Sequence, residues 1–230
     1  MATYVLIPGA MGSSWYWHRV APLLEARGHA VVAPDLPATD DAAGLAEYVD
    51  VIDAAIGARS GDLIVVAHSM GGLSAPLVCA RRSVALLVLV APMIPTPGET
   101  GGAWWANTGQ PEAERALAAR EGRPTGGPFD PEATFLHDVP PEIAAEASRR
   151  AGDQSARPFA DPWPLAAWPS VPTRVIACRR DRLFPIDFMR RLSQERLGIV
   201  PDELDCGHLP ALSQPDALVD RLERYREELA

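Results

Sequence analysis

Ser69 lies in the segment VVAHSMGG, in which an apolar stretch leads into a histidine, a serine and two glycines. A hydroxyl is a weak nucleophile until a base removes its proton, and it must stand clear of the backbone to reach a substrate. A sharp strand-to-helix turn exposes it, provided that the residues two before and two after are small, here Ala67 and Gly71. The segment therefore predicts a nucleophilic serine, although a serine at a helix start can also act only as an N-cap.

Two further reactive residues follow apolar segments near the end of the chain. Asp181 comes directly after TRVIAC, in CRRDRLFP, and His208 comes after a short segment, in DCGHLPALSQP. The carboxyl ends of parallel strands meet at one edge of a sheet, where such sheets build their sites. Asp181 and His208 are therefore candidates for the same site as Ser69.

The segments that must position these residues alternate between strands and helices. We predict strands at 3–8, 30–33, 63–67, 85–90, 173–178 and 203–206, and helices at 44–58, 70–81, 186–197 and 215–229, with another helix between the first two strands. The strands are continuous apolar runs, which is typical of an α/β fold with a parallel sheet covered on both faces.

The alternation stops between residues 96 and 169, where prolines are concentrated and no strand is predicted. The segment is too long for a structureless loop in a compact domain. It is also rich in tryptophan and phenylalanine, which disordered segments lack. We interpret it as a helical cap, with residues 140–150 as one of its helices, inserted into a core made of residues 1–95 and 170–230.

AHSMGG resembles the nucleophile elbow of the α/β-hydrolase fold superfamily, whose pattern is G-x-S-x-G, with Ala67 in place of the first glycine. The order Ser69, Asp181, His208 also matches the order in that superfamily. The resemblance implies a six-stranded, mostly parallel sheet with helices on both faces and a helical cap. It makes Ser69 the nucleophile, His208 the general base and then acid, and Asp181 the residue that orients His208.

The resemblance also implies an oxyanion hole formed by backbone N–H groups. One donor would be Met70, directly after the nucleophile, and the other Ala10, with Met11 as the alternative. Both alternatives lie in the loop IPGAMGSSWYW, which begins with Pro8 where the family usually has a histidine.

The residues of the substrate pocket are less well defined by the sequence. SSWYW resembles the GAWxW segment of plant methylesterases and hydroxynitrile lyases, so Trp15 and Trp17 either wall the pocket or pack the first helix on the sheet. Trp104 and Trp105 either form a small core within the cap or make the pocket apolar, and His137 either lines the pocket or is structural.

Several other residues are weaker candidates for the catalytic roles. His68 adjoins Ser69 but is expected to pack and to form hydrogen bonds. His18 and His29 are expected to lie on the surface or cap helices, and Asp35 to shape its turn. Asp187 and Asp205 are weaker rivals of Asp181, and Cys206 either fills the core or is a reactive thiol near the site.

The composition disfavours a nucleic-acid-binding, membrane-spanning or disulfide-rich protein. The net charge of −9 disfavours nucleic acid and anionic membrane surfaces as partners. No apolar run approaches the roughly 20 residues of a membrane helix, and no secretory signal pattern precedes the first strand. Three scattered cysteines disfavour a disulfide framework or a zinc site, so we expect a cytoplasmic protein without metal or cofactor.

These features predict a serine hydrolase that cleaves a small carboxylic ester, lactone or thioester through an acyl-enzyme. Its partner would be a small, ester-like substrate. Leu209 occupies the position where the related lyases carry a lysine, which favours hydrolysis over cyanohydrin cleavage. The alternatives are a lyase or acyl transferase that uses the same three residues, or a sensor of a small ligand that does not turn it over.

Overall fold

The computed structural model describes residues 1–126 and 128–229, and a sheet of six parallel strands lies at its centre. The strands lie in the order β2-β1-β3-β4-β5-β6. The bounds of the strands are β1 Thr3–Ile7, β2 Ala30–Val32, β3 Leu63–His68, β4 Leu86–Val90, β5 Thr173–Cys178 and β6 Asp202–Leu204. The predicted six-stranded parallel sheet is confirmed.

Helices connect the strands. Ten α-helices lie within the described residues: α1 Ala21–Ala26, α2 Leu45–Ile56, α3 Gly71–Arg81, α4 Gly101–Thr108, α5 Gln110–Arg120, α6 Pro141–Arg150, α7 Arg157–Ala160, α8 Ile186–Leu197, α9 Pro210–Ser213 and α10 Pro215–Glu227. A 3₁₀ helix spans Ser14–Trp17 and a π-helical turn spans Glu132–Leu136. Within this part of the chain, no helix combines the length and hydrophobicity that a membrane crossing requires.

The strands bury side chains on both faces of the sheet, which explains their continuous apolar sequences. Val5 and Ile7 point into one core cluster, whereas Tyr4 and Leu6 point into the other. The first cluster includes residues of α2, α3 and α8, and the second includes residues of α1 and α10. Because successive side chains of a strand alternate between faces, only a sheet covered on both sides accommodates such a run.

The chain between β4 and β5 carries α4 to α7 and packs on the core. Trp104 of α4 is fully buried, and its indole N–H donates to the carbonyl of Ile94 at 3.0 Å. Within the described residues this segment has one isolated β-bridge, between Thr100 and Pro162, and no strand. The segment thus contacts the core through buried side chains. Its division from the core as a separate cap stays a prediction.

A buried ion pair holds the start of this segment to α8. Arg196 donates to Glu99 Oε1 at 2.9 Å, and Asn107 donates to the same oxygen at 2.9 Å. Burial alone raises the pKa of the Glu99 carboxyl. The hydrogen bonds from Arg196 and Asn107 and the charge of Arg196 outweigh it, so this pKa lies below the ordinary glutamate value.

We expect Glu99→Gln to lower the free energy of unfolding by about 3 kcal/mol at neutral pH, because it leaves the Arg196 charge buried without its partner. A carboxyl whose pKa is lower in the folded state stabilises the fold above its unfolded pKa, and this contribution is lost as the pH falls through the folded value. The difference between wild type and variant should therefore shrink below about pH 4.

Urea unfolding of both proteins at neutral and acidic pH measures this difference. Asp50→Asn is the control, because Asp50 pairs with Arg81 on the surface, where about 0–1 kcal/mol is typical. If the difference in free energy of unfolding between wild type and Glu99→Gln did not change with pH, the result would contradict a stabilising charge on Glu99.

Candidate active site

The turn between β3 and α3 holds Ser69 in a strained backbone conformation. Its φ is +51°, a value that side-chain-bearing residues rarely adopt. The preceding strand ends at His68, and α3 begins at Gly71. This geometry is the sharp strand-to-helix turn that the sequence predicts, and it projects the Ser69 hydroxyl from the carboxyl edge of the sheet.

Two glycines permit the close packing of this turn. A Cβ at Gly71 would lie 2.9 Å from the carbonyl oxygen of Pro8, and a Cβ at Gly72 would lie 2.1 Å from that of Met93. A glycine within a helix costs about 1 kcal/mol relative to alanine. Here the cost has a steric reason, because any larger residue would push α3 away from the neighbouring loops.

The structure brings Ser69, His208 and Asp181 together. His208 Nε2 lies 3.0 Å from Ser69 Oγ, and His208 Nδ1 lies 2.7 Å from Asp181 Oδ2. All three residues are buried, with Asp181 and His208 almost entirely so. Each is placed by a segment at the carboxyl end of a strand: β3 for Ser69, β5 for Asp181 and β6 for His208.

Backbone hydrogen bonds hold the Asp181 carboxylate in place. Its Oδ1 accepts the N–H groups of Leu183 and Phe184 at 2.8 and 2.9 Å. The other oxygen, Oδ2, is thereby directed at His208 Nδ1. A buried carboxylate needs such partners to remain charged, and a charged carboxylate here would stabilise a protonated His208.

His68 packs behind His208, as the sequence predicts. Its Nε2–H donates to the carbonyl oxygen of His208 at 2.8 Å, and its ring stacks on Tyr16 with centroids 4.4 Å apart. Burial and the neighbouring His208 ring hold the pKa of His68 well below its ordinary value. His68 is therefore a neutral support for the main chain of His208.

The two residues predicted to supply oxyanion donors, Ala10 and Met70, lie at the wall of one cavity together with Ser69. Neither N–H donates a hydrogen bond within residues 1–126 and 128–229. The N–H of Met11 instead donates to Gln154 Oε1 at 2.8 Å. Gly9 packs against the serine, since a Cβ there would lie 3.1 Å from Ser69 Cβ.

The cavity in front of Ser69 has a volume of about 810 Å³, and most of its walls are apolar. Leu209, which directly follows His208, contributes to one wall. Trp15 and Trp105 line the cavity, which is one of the two alternatives that the sequence leaves open for each. The other large apolar and aromatic residues around it include Tyr16, Phe135, Phe159, Leu183 and Leu212.

Three of the predicted pocket residues do not line this cavity. Trp17 is fully buried among the residues on one face of the sheet, because in a 3₁₀ helix residues two positions apart point in different directions. Trp104 is buried against Phe184 and Phe188 while its neighbour Trp105 faces the cavity. His137 lies behind the His208 loop, with its ring against Gly207. Of the two alternatives that the sequence leaves open for each of these residues, the structure favours packing over lining the pocket.

The weaker candidates for catalytic roles make structural contacts. Asp35 accepts the N–H of Ser14 at 2.7 Å, and His18 bonds to the carbonyl of Trp15. His29 pairs with Glu223 through a largely buried side chain. Asp187 and Asp205 pair with arginines on the surface, and Cys206 lies in the core.

Some site residues carry no sequence signal. The ring of Phe135 lies 5.4 Å from that of His208, yet its segment shows no periodicity and no motif. Among the described residues, no group of three or more histidine, cysteine, aspartate or glutamate side chains is arranged to hold a metal ion.

Comparison with known proteins adds evidence at the level of the family. The model of the alpha/beta hydrolase family matches residues 4–221. A pyrethroid hydrolase from Sphingobium wenxiniae is 29% identical and aligns with 97% of this chain and 87% of its own length. Methylesterase 7 from Arabidopsis thaliana is 27% identical over 99% of this chain and 97% of its own.

Solved structures share the fold across nearly the whole chain. Polyneuridine aldehyde esterase superposes with a TM-score of 0.78 at 19% identity, covering 98% of this chain and 99% of that one. A pyrethroid hydrolase from Sphingobium faniae gives 0.76 at 24% identity, covering 98% and 97%. The predicted fold and the predicted similarity to plant methylesterases are thus confirmed.

Proposed function

Since the chain belongs to the alpha/beta hydrolase family, we propose that it is a serine carboxylic-ester hydrolase that works through an acyl-enzyme. One observation carries the proposal: a continuous chain of hydrogen-bonding contacts runs from the Ser69 hydroxyl through His208 to the buried Asp181. The names of the relatives, a pyrethroid hydrolase and a methylesterase, support ester hydrolysis in general.

The first half of the reaction makes the acyl-enzyme. His208 Nε2 takes the proton of Ser69 as its Oγ attacks the ester carbonyl carbon, and the carbonyl oxygen becomes an oxyanion. The N–H groups of Met70 and Ala10 stabilise that oxyanion, and one such donor is typically worth about 100- to 1,000-fold in rate. His208 then gives its proton to the leaving alcohol oxygen as the carbon–oxygen bond breaks.

The second half releases the acid. Water takes the place of the alcohol, His208 removes one of its protons, and the oxygen of the water attacks the acyl carbon. When the second tetrahedral intermediate collapses, Ser69 Oγ leaves and recovers its proton from His208. Asp181 keeps the His208 proton on Nδ1 throughout, so that Nε2 can act as the base.

The cavity favours esters with a sizeable apolar group. Its volume of about 810 Å³ lies within the usual range for drug-sized ligands, about 300–1,000 Å³, and far exceeds the needs of an acetyl group. Aromatic and aliphatic side chains form most of its walls, so each substrate methylene that enters the cavity is removed from water.

We expect kcat/KM for p-nitrophenyl esters to rise from acetate to octanoate. A buried methylene contributes about 0.8 kcal/mol, so the gain approaches about fourfold for each methylene until the cavity is filled. The release of p-nitrophenol measures the rate, and p-nitrophenyl phosphate is the control for reaction at a carbonyl. A rate that falls steadily from acetate onwards would contradict the proposed apolar substrate, whereas activity on no ester would contradict the proposed function.

A further inference from the structure

A second carboxylate, that of Asp138, binds the backbone next to His208. The N–H of Gly207 donates to Asp138 Oδ2 at 2.5 Å, although the two residues lie 69 positions apart in the sequence. Gly207 directly precedes His208, so this bond restrains the Cys206–Gly207 peptide, one residue before the histidine.

The Asp138 carboxylate is buried and has few other partners. Its side chain is 4% exposed, and its Oδ1 accepts no hydrogen bond within the described residues. The nearest cationic partner is Arg180, whose Nη2 lies 3.8 Å from Oδ2. Burying a carboxylate costs free energy unless its hydrogen bonds offset the lost hydration. The one close bond that Asp138 makes goes to the loop that carries His208.

The absence of a side chain at Gly207 makes this contact possible. A Cβ there would lie 2.5 Å from Asp138 Oδ1 and 2.9 Å from His137 Cε1. The backbone φ of Gly207 is not in the left-handed region, so the requirement is for space rather than for conformational freedom. A glycine before the histidine thus allows the carboxylate to lie against the main chain.

Three segments hold His208 from different directions. Asp181 binds its ring, and His68 binds its carbonyl oxygen at 2.8 Å. Asp138 binds the N–H of Gly207, the residue before His208, from the chain between β4 and β5 that also contributes Phe135 and Leu136 to the cavity wall. Without Asp138, the Gly207 N–H would have no hydrogen-bond acceptor among the described residues.

We propose that Asp138 is a positioning residue that keeps His208 Nε2 in reach of Ser69. The inference rests on the proposed function, because it assigns a role within that reaction. A misplacement of about 1 Å in a reacting group can cost about 100-fold in rate. Asp138 is not among the residues that line the cavity, so its proposed effect passes through its hydrogen bond to the Gly207 N–H.

Two substitutions of matched shape separate the hydrogen bond from the packing. Asp138→Leu fills the same space but offers no acceptor to Gly207, whereas Asp138→Asn retains an oxygen acceptor. Asp205→Ala is the control in the neighbouring loop: its carboxylate also contacts Arg180, at 3.2 Å, but it is exposed and does not contact Gly207. Circular dichroism confirms folding, and Asp138→Ala replaces the leucine variant if that does not fold.

We expect Asp138→Leu to lower kcat on p-nitrophenyl octanoate by about 10- to 100-fold, with KM changed less than about threefold. The kcat of Asp138→Asn should stay within about threefold of the wild-type value, and the kcat of Asp205→Ala should equal the wild-type value. Equal activity in Asp138→Leu and Asp205→Ala would overturn the proposal. So would an equal loss in the asparagine and leucine variants, because the charge rather than the hydrogen bond would then matter.

A spectroscopic measurement tests the same inference without turnover. The proton on His208 Nδ1, shared with Asp181, should give a downfield proton NMR signal, assigned by its loss in His208→Gln. We expect this signal to shift or broaden in Asp138→Leu and to persist in Asp138→Asn and Asp205→Ala. An unchanged signal in Asp138→Leu would overturn the inference. If wild type and Ser69→Ala hydrolyse the esters equally, the proposed function fails, and the NMR result still decides whether Asp138 positions His208.

Discussion

Replacing Ser69 by alanine is expected to lower kcat by about 10⁴- to 10⁶-fold on p-nitrophenyl octanoate, because the change removes the proposed nucleophile. The change removes one oxygen atom and leaves the cavity walls intact. Substrate binding should therefore persist, and KM should change far less than kcat. Residual catalysis from the oxyanion donors and from binding alone keeps the rate above that in water.

The appropriate control is a second serine in the same cavity. Ser148 also lines the cavity, and within the described residues the His208 ring bonds to Asp181 and Ser69 and not to Ser148. Ser148→Ala should retain nearly full activity. If folded Ser69→Ala retained a tenth or more of the wild-type rate, Ser69 would not be the nucleophile for this reaction.

Replacing Asp181 by asparagine is expected to lower kcat by about 10⁴-fold, although the change is nearly isosteric. In the wild type, Oδ1 accepts two backbone N–H groups. An asparagine must keep its single oxygen there, because its NH₂ group would otherwise face two donors. The NH₂ group then points at His208 Nδ1, which has to accept.

The consequence for His208 is a change of tautomer. With Nδ1 as the acceptor, the ring proton moves to Nε2, which faces Ser69 Oγ at 3.0 Å. A protonated Nε2 cannot take the serine proton, so the base is lost while the geometry is preserved. Kinetics at neutral pH measure the loss, and Asp187→Asn, an exposed aspartate on α8 paired with Arg190, is the control. A loss of less than tenfold in folded Asp181→Asn would contradict this role for Asp181.

The parts of the site that sequence alone predicts are those whose signals are local. The apolar run before Ser69 and the small residues around it define β3 and the turn without any distant contact. The same holds for Asp181 and His208, which directly follow strands, since parallel strands bring their carboxyl ends to one edge. The bounds of β5 and α8 agree with the predicted ranges because apolar periodicity and flanking prolines mark both of them.

The alternatives that the sequence leaves open for the tryptophans depend on the rotation of a helix about its axis. Trp104 and Trp105 are consecutive, so their side chains point about 100° apart, and only tertiary packing decides which one faces the cavity. The indole of Trp104 points into the core, where it packs against Phe184 and Phe188. Trp15 and Trp17 diverge in the same way within their 3₁₀ helix.

The contact between Asp138 and Gly207 is not predicted from the sequence, for a different reason. Asp138 stands in a segment without a motif, and its partner Gly207 is distant in the chain. Its importance depends on burial and on one hydrogen bond, neither of which leaves a pattern in the sequence. The only trace is the glycine before His208, which by itself is compatible with any tight loop.

The most direct test is to trap the acyl-enzyme and locate the bond. Wild type incubated with p-nitrophenyl dimethylcarbamate should release p-nitrophenol once and gain the mass of one carbamoyl group, which peptide mapping should place on Ser69. Ser69→Ala should gain no mass under the same conditions, and Ser148→Ala should be carbamoylated like wild type. An adduct on another residue, or turnover of esters by a protein that never becomes modified at Ser69, would contradict a serine mechanism at this site.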